Sequence, residues 1–157
     1  MTTIKEKTAF IRFMLPHATE AIGKQWPFFI EWAIAKAALE CGWEVDNLLI
    51  KQANNCLGIK AVAGAESVTI DANTGPESGT PTQWRKFQSL ADCFRELVNM
   101  WNWRGYYGVA RNAFTIGFER IYTDNLKGHA ETVLRMQHEV AALMKEARIL
   151  DEKGRMI

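Results

Sequence analysis

The stretch from Phe28 to Lys60, FFIEWAIAKAALECGWEVDNLLIKQANNCLGIK, decides the fold of this 157-residue chain. Its first part predicts a nearly continuous apolar helix, because only Glu31, Lys36 and Glu40 interrupt the apolar and small residues. Gly42 suits the end of that helix. Its alanines are small enough for other helices to approach closely, as a central helix requires.

Glu40 is the candidate functional residue of this helix. On a helical wheel, at about 100° per residue, it points roughly opposite to Glu31. If Glu31 faces water, Glu40 faces the protein. Burial disfavours the ionised form of a carboxyl group and raises its pKa, and such a glutamate can serve as a general acid near neutral pH. A structural carboxylate, bonded to a backbone amide or paired with an arginine, is the alternative.

The segment after this helix predicts a compact turn next to Glu40. Trp43 follows the end of the helix and is expected to cover the surroundings of Glu40. Asp46 or Asn47 can cap one short helical turn. Asn54 and Asn55 tolerate unusual backbone angles and offer side-chain amides.

The rest of the chain predicts further helices. An amphipathic helix is expected over residues 4–15, and Pro16 favours the start of a second helical piece that ends near Gly23. Ser89 to Trp101 reads as a capped amphipathic helix, and 126–150 as a long final helix with one apolar face.

One small sheet completes an α+β fold with a helical majority. Its hairpin arms are expected at about 66–72 and 80–87, because polar and turn-forming residues separate the two. A loop is expected over 102–108 and a helix over 110–122, and residues 151–157 are expected to fray.

Composition excludes several classes of protein. The length of 157 residues predicts one domain over residues 1–157. A formal net charge of +1 gives no reason to expect nucleic-acid binding. No apolar run is long enough to cross a membrane, and the N-terminal residues lack a signal-peptide pattern. The three cysteines (Cys41, Cys56 and Cys93) match neither a zinc site nor a disulfide framework, so buried free thiols are expected.

Two blocks of the sequence resemble the signature of the glucosaminidases of glycoside hydrolase family 73. Ala37 to Trp43 is similar to the family pattern AQAxLESGWG, and Asn54 to Ala61 is similar to NNLFGIKA. This chain departs from the pattern with Cys41 in place of serine, Glu44 in place of glycine, and Cys56-Leu57 in place of Leu-Phe.

The resemblance implies a lysozyme-like helical bundle with a small β-hairpin lobe beside a cleft. It also implies cleavage of peptidoglycan glycan strands, with Glu40 as the general acid. A second carboxylate in the β-lobe assists water attack in the family. The segment WRKFQS resembles the family's FRxYxS and places Asp71 near that position, with Glu77 as the runner-up. The residues expected to shape the sugar sites are Trp43, Asn54, Asn55, Trp84 and Tyr122.

The sequence therefore predicts a peptidoglycan hydrolase, an endo-β-N-acetylglucosaminidase in the first place, that acts as a monomer without cofactor or metal. An N-acetylmuramidase on the same fold and a catalytically silent glycan-binding or virion protein are the alternatives. Synthesis in the cytoplasm without a signal peptide fits a phage-type endolysin, a tail component or an effector that is delivered to the wall.

Overall fold

A computed structural model describes residues 2–71, 81–104 and 128–157, with residues 101–104 described as helix backbone alone. Five helices and one two-stranded sheet are formed within these ranges. In chain order they are α1 (Ile4–Ile22), α2 (Pro27–Cys41), α3 (Leu48–Ala53), β1 (Ser67–Asp71), β2 (Pro81–Arg85), α4 (Leu90–Arg104) and α5 (His129–Glu146).

Helix α2 is the centre of the bundle, as predicted. It begins with Pro27 and ends at Gly42, whose left-handed backbone (φ 61°) lets its N–H donate to the Ala38 carbonyl. Every residue from Phe29 to Ala38 is buried. Helices α1 and α5 pack directly against it, because its small alanines allow close approach. The buried set includes two charged residues, and the ammonium of one of them, Lys36, lies 5.7 Å from the centre of the Trp32 ring.

Helix α1 is one continuous helix of 19 residues, so the prediction that Pro16 starts a second piece is wrong. Proline removes one backbone donor, but the exposed position of Pro16 leaves the freed carbonyl on the solvent side. Burial of Met14 and Ala18 on either side of it holds both halves in the core. The predicted end of the helix is confirmed, since Gly23 caps it with φ 97°.

The predicted hairpin is confirmed. Strands β1 and β2 pair antiparallel, from Ser67 opposite Arg85 to Asp71 opposite Pro81. The chain after α3 runs along the other side of β2. There the Arg85 N–H donates to the Ile59 carbonyl at 3.0 Å, and the Ala61 N–H donates to the Gln83 carbonyl at 3.1 Å. The second motif, Asn54 to Ala61, is therefore attached to the β-lobe.

Local caps set the other helix ends. Asn47 caps α3, with its Oδ1 accepting from the Leu49 N–H at 2.9 Å, and Ser89 Oγ accepts from the Asp92 N–H at 3.1 Å. Helix α4 continues to Arg104, so the loop predicted from residue 102 is wrong over its first residues. The first strong helix breaker, Gly105, comes only after Arg104. The rest of that loop and the helix predicted over 110–122 lie outside the described residues.

The C-terminal residues are ordered, so the prediction that they fray is wrong. Helix α5 ends at Glu146, and the Asp151 carboxylate then accepts hydrogen bonds from the backbone N–H groups of Lys153 (2.9 Å) and Arg155 (2.8 Å). The Ile157 N–H donates to the Ile149 carbonyl at 3.0 Å and closes the turn onto the helix end. In the described part of the chain, no helix is long and apolar enough to cross a membrane.

Candidate active site

Glu40 lies in the last turn of α2 with its side chain exposed, whereas Glu31 is 1% exposed. The prediction that Glu31 faces water and Glu40 faces the protein is therefore wrong. The middle of α2 is packed on all sides, so no face of the helix contacts solvent there. Side chains become exposed only at the end of the helix, where it leaves the core. A carboxyl group in this position can reach a substrate that arrives from solvent.

Gly58 packs directly under the Glu40 carboxyl group. A Cβ atom built on Gly58 would lie 2.6 Å from Glu40 Oε2 and 3.1 Å from its carboxyl carbon. These distances are shorter than van der Waals contact, so a side chain at position 58 would displace the Glu40 carboxyl group from this position. The backbone of Gly58 also has φ 63°, which L-residues with side chains seldom adopt. Sequence analysis missed this contact, although the glycine belongs to the second motif.

Asn55 holds the turn that carries Gly58. Its side chain is 0% exposed and makes hydrogen bonds only to backbone groups in the described residues. Oδ1 accepts from the Ile59 N–H at 3.1 Å, while Nδ2 donates to the carbonyls of Ile59 at 2.8 Å and Arg85 at 2.9 Å. This buried side chain faces the protein, unlike the sugar-site residue expected from the sequence.

Asn54 and Trp84, two further residues expected at the sugar sites, also bond within the protein. Asn54 has a left-handed backbone (φ 49°) at the end of α3, and its Nδ2 donates to the Phe87 carbonyl at 3.1 Å. Trp84 is 8% exposed, and its indole N–H donates across the hairpin to the Ile70 carbonyl at 3.1 Å. The Asn54 bond fixes the end of α3 to the chain just after β2, and the Trp84 bond joins the two strands of the hairpin.

Trp43 packs against the N-terminal half of α1. Its ring meets Phe10 edge to face with centroids 5.7 Å apart, and the Lys7 ammonium lies 5.1 Å from its centre. A positive φ of 64° aims the side chain this way. The ring lines a shallow cavity of about 510 Å³ together with the aromatic rings of Phe10 and Phe13 and the acidic residues Glu6, Glu44 and Asp46.

The three cysteines are buried free thiols, as predicted. They lie behind Glu40 and Gly58: the Cys41 thiol donates to the Cys56 carbonyl at 3.4 Å, and the sulfur atoms of Cys56 and Cys93 are 4.0 Å apart. Burial raises the pKa of the Cys41 thiol to about 12, with the nearby Glu40 carboxylate adding to the effect. Burial and the neighbouring Cys93 also raise the pKa of Cys56 well above its usual value. Protonated thiols are poor nucleophiles, so Cys41 and Cys56 contribute packing rather than chemistry.

Of the two candidates for the second carboxylate, only Asp71 lies within the described residues. Asp71 is the exposed last residue of β1. Ser67, at the other end of β1, pairs with Arg85. The Arg85 N–H donates in turn to the carbonyl of Ile59, the residue after Gly58. A rise of roughly 3.3 Å per residue puts the two ends of the strand about 13 Å apart. Glu77 and Tyr122 lie outside the described residues. In the described ranges, no group of three or more histidine, cysteine or acidic side chains could hold a metal ion.

A bundle around one buried helix, with an exposed glutamate at the helix end and a hairpin lobe beside it, is the architecture of a lysozyme-like glycoside hydrolase. A family model described as mannosyl-glycoprotein endo-beta-N-acetylglucosaminidase matches residues 16–148. The chain therefore belongs to the glucosaminidase family. A search of curated proteins gave no match.

The fold is also similar to a solved structure, the catalytic domain of the autolysin Auto from Listeria monocytogenes. The TM-score is 0.64 at 19% sequence identity, with 92% of this chain and 89% of that chain covered. This likeness confirms the predicted α+β fold of a helical bundle beside a small hairpin lobe.

Proposed function

We propose that this glycoside hydrolase cleaves β-1,4 bonds in the glycan strands of peptidoglycan as an endo-β-N-acetylglucosaminidase, with Glu40 as its general acid. The observation that carries the proposal is the position of Glu40. It is exposed at the end of a buried helix and is held against Gly58, in the glutamate position of the family's first motif. The similar autolysin domain supports a cell-wall substrate.

Three features of the geometry support this role for Glu40, although its exposure removes the burial on which the predicted rise of its pKa depended. The rigid helix fixes its backbone, Gly58 limits where its carboxyl group can lie, and exposure lets it reach the glycosidic oxygen. In the reaction Glu40 gives its proton to the leaving oxygen as positive charge develops on the sugar ring. A hairpin carboxylate, Asp71 or Glu77, activates the water that attacks that ring.

The test is digestion of purified Gram-negative sacculi by the wild type, by Glu40→Gln and by Glu44→Gln. Glu44 is a matched control, because it is another exposed glutamate close to the same helix end. Products are reduced with borohydride and analysed by mass spectrometry. We expect fragments that end in reduced N-acetylglucosamine from the wild type and the control, and none from Glu40→Gln.

The other outcomes separate the alternatives. Fragments that end in reduced N-acetylmuramic acid would show that the protein cleaves the other linkage and is a muramidase. Unchanged digestion by Glu40→Gln would show that Glu40 is not the general acid. Binding to sacculi without any release of fragments, from walls of several chemistries, would favour a silent glycan-binding protein.

A further inference from the structure

The side chain of Asn55 fills its hydrogen-bonding capacity inside the protein. Both hydrogens of its amide nitrogen have a carbonyl acceptor, Ile59 at 2.8 Å and Arg85 at 2.9 Å, and its oxygen accepts from the Ile59 N–H at 3.1 Å. The residue is 0% exposed. No donor of this amide is left to bind a sugar, so its hydrogen bonds act within the fold.

These bonds close a short ring of backbone. Asn55 bonds to both backbone polar groups of Ile59, and the residues between them form a turn that is held at its two ends. Gly58 is the last residue inside that turn, with φ 63°. The third bond attaches the turn to Arg85 of β2, and Arg85 pairs in turn with Glu96 of α4 at 3.3 Å. Asn55 thus links the turn to the rest of the fold.

The same turn contacts the Glu40 carboxyl group, because a Cβ atom on Gly58 would lie 2.6 Å from Glu40 Oε2. A shift of the turn toward α2 would push the carboxyl group aside, and a shift away would remove the contact with Gly58. Misplacement of a catalytic group by about 1 Å can cost about 100-fold in rate.

We propose that Asn55 is a positioning residue for the general acid: it fixes the turn that carries Gly58, and the turn fixes the orientation of the Glu40 carboxyl group. This role rests on the proposed function of Glu40 as the acid. It differs from sugar binding in its kinetic signature, since a positioning residue affects the chemical step while glycan affinity stays the same.

The first measurement compares Asn55→Ala with Asn47→Ala. The control also removes a side-chain hydrogen bond to backbone, at the cap of the neighbouring helix α3, but does not touch the turn. For Asn55→Ala we expect kcat to fall by about 100-fold with KM unchanged, and for Asn47→Ala we expect kcat to stay at the wild-type value. Glycan affinity is measured with peptidoglycan fragments in the inactive Glu40→Gln background, where Asn55→Ala should change nothing. An unchanged kcat, or a loss of glycan affinity in that background, would overturn the proposal.

Gly58→Ala provides a second route if Asn55→Ala does not fold. It disturbs the same contact from the other side, so it should reproduce the loss of kcat without a change of KM. Where both single variants fold, the double variant should lose little more than either one, because both changes act on the same contact. Fully additive losses would contradict a shared route.

A readout that needs no activity separates this proposal from the proposed function. In protein labelled with ¹³C at glutamate side chains, the Glu40 carboxyl resonance is identified by its loss in Glu40→Gln. Asn55→Ala should shift that resonance and its titration midpoint, and Asn47→Ala should not. If the wild type cleaves no wall, the proposed function fails, while the resonance still shows whether Asn55 sets the position of the Glu40 carboxyl group. An unmoved resonance in an active enzyme refutes the positioning role alone.

Discussion

The thiol of Cys41 donates a hydrogen bond to the backbone carbonyl of Cys56 at 3.4 Å. This bond joins the residue after Glu40 to the turn that holds Gly58. The family pattern has serine at position 41, and a serine hydroxyl can donate to the same carbonyl. Cysteine keeps that donor in a weaker and more apolar form, which explains why the departure from the pattern is compatible with the fold.

Cys41→Ser and Cys41→Val should therefore behave differently. Serine keeps a donor for the Cys56 carbonyl, so we expect full activity and near wild-type stability. Valine fills a similar volume but leaves that buried carbonyl without its donor, which should cost about 1–3 kcal/mol of unfolding free energy and lower kcat. Urea unfolding and sacculus digestion check both variants. Equal stability and activity of the two would show that the hydrogen bond contributes nothing.

The raised thiol pKa of Cys41 predicts a loss of stability in alkaline solution. Its pKa is about 12 in the folded protein, against 9.0 for an ordinary thiol. Between these values the unfolded chain releases a proton that the folded chain keeps, so the free energy of unfolding falls as pH rises. The contribution is fully present below the lower value and on the order of 4 kcal/mol over the whole window.

Urea unfolding at a series of pH values measures this slope. Cys41→Ser should make the alkaline slope shallower, because serine does not titrate there. Native protein should also react slowly with a thiol reagent near pH 8 and quickly after unfolding. Fast labelling of Cys41 in the native state, or an unchanged slope in the serine variant, would contradict the assignment.

Gly58→Ala and Gly42→Ala form a matched pair. The two glycines have nearly the same backbone, φ 63° and 61°, but an added Cβ meets Glu40 at position 58 and nothing within 4 Å at position 42. Both substitutions place a side chain in the left-handed region, so each should cost about 1–2 kcal/mol of stability. Only Gly58→Ala should lower kcat, by about 100-fold. Equal kcat values in the two folded variants would mean that the contact does not orient the acid.

Local signals in the sequence were enough to predict most of the fold. Pro27 and Gly42 bound the central helix, Asn47 and Ser89 cap the next ones, and alternation with turn residues marks the hairpin. Each of these effects acts within a few residues of the chain. The continuous path through Pro16 was missed because it depends on burial by distant helices.

The contacts of the candidate site could not be predicted from the sequence. The motif identified Glu40 as the candidate acid. Its exposure, however, depends on where the neighbouring helices stop covering α2, and a helical wheel holds no information on neighbouring helices. Asn55 and Trp84 carry polar groups that suit sugars, and the fold instead uses those groups to bond distant backbone. Only the three-dimensional pairing of the loop with β2 decides between the two uses.

The last prediction concerns water activation by the hairpin. We expect Asp71→Asn to lower kcat more than Glu77→Gln, because Asp71 holds the position that the FRxYxS-like segment assigns to the second carboxylate. The loss should be about 100-fold or more if the residue acts as a base. Asp71 is the exposed last residue of β1, about 13 Å along the strand from Ser67.

Azide can identify which carboxylate acts, because this small anion can replace the activated water in a variant that lacks its base. We expect azide to restore bond cleavage in Asp71→Asn, with glycosyl azide among the products by mass spectrometry, and to have no effect on Glu40→Gln. Rescue of Glu77→Gln alone would identify Glu77 as the base. Full activity in both single variants and in their double variant would show that neither carboxylate acts as the base. The substrate's own acetamido group would then be the group that assists the departure of the leaving sugar.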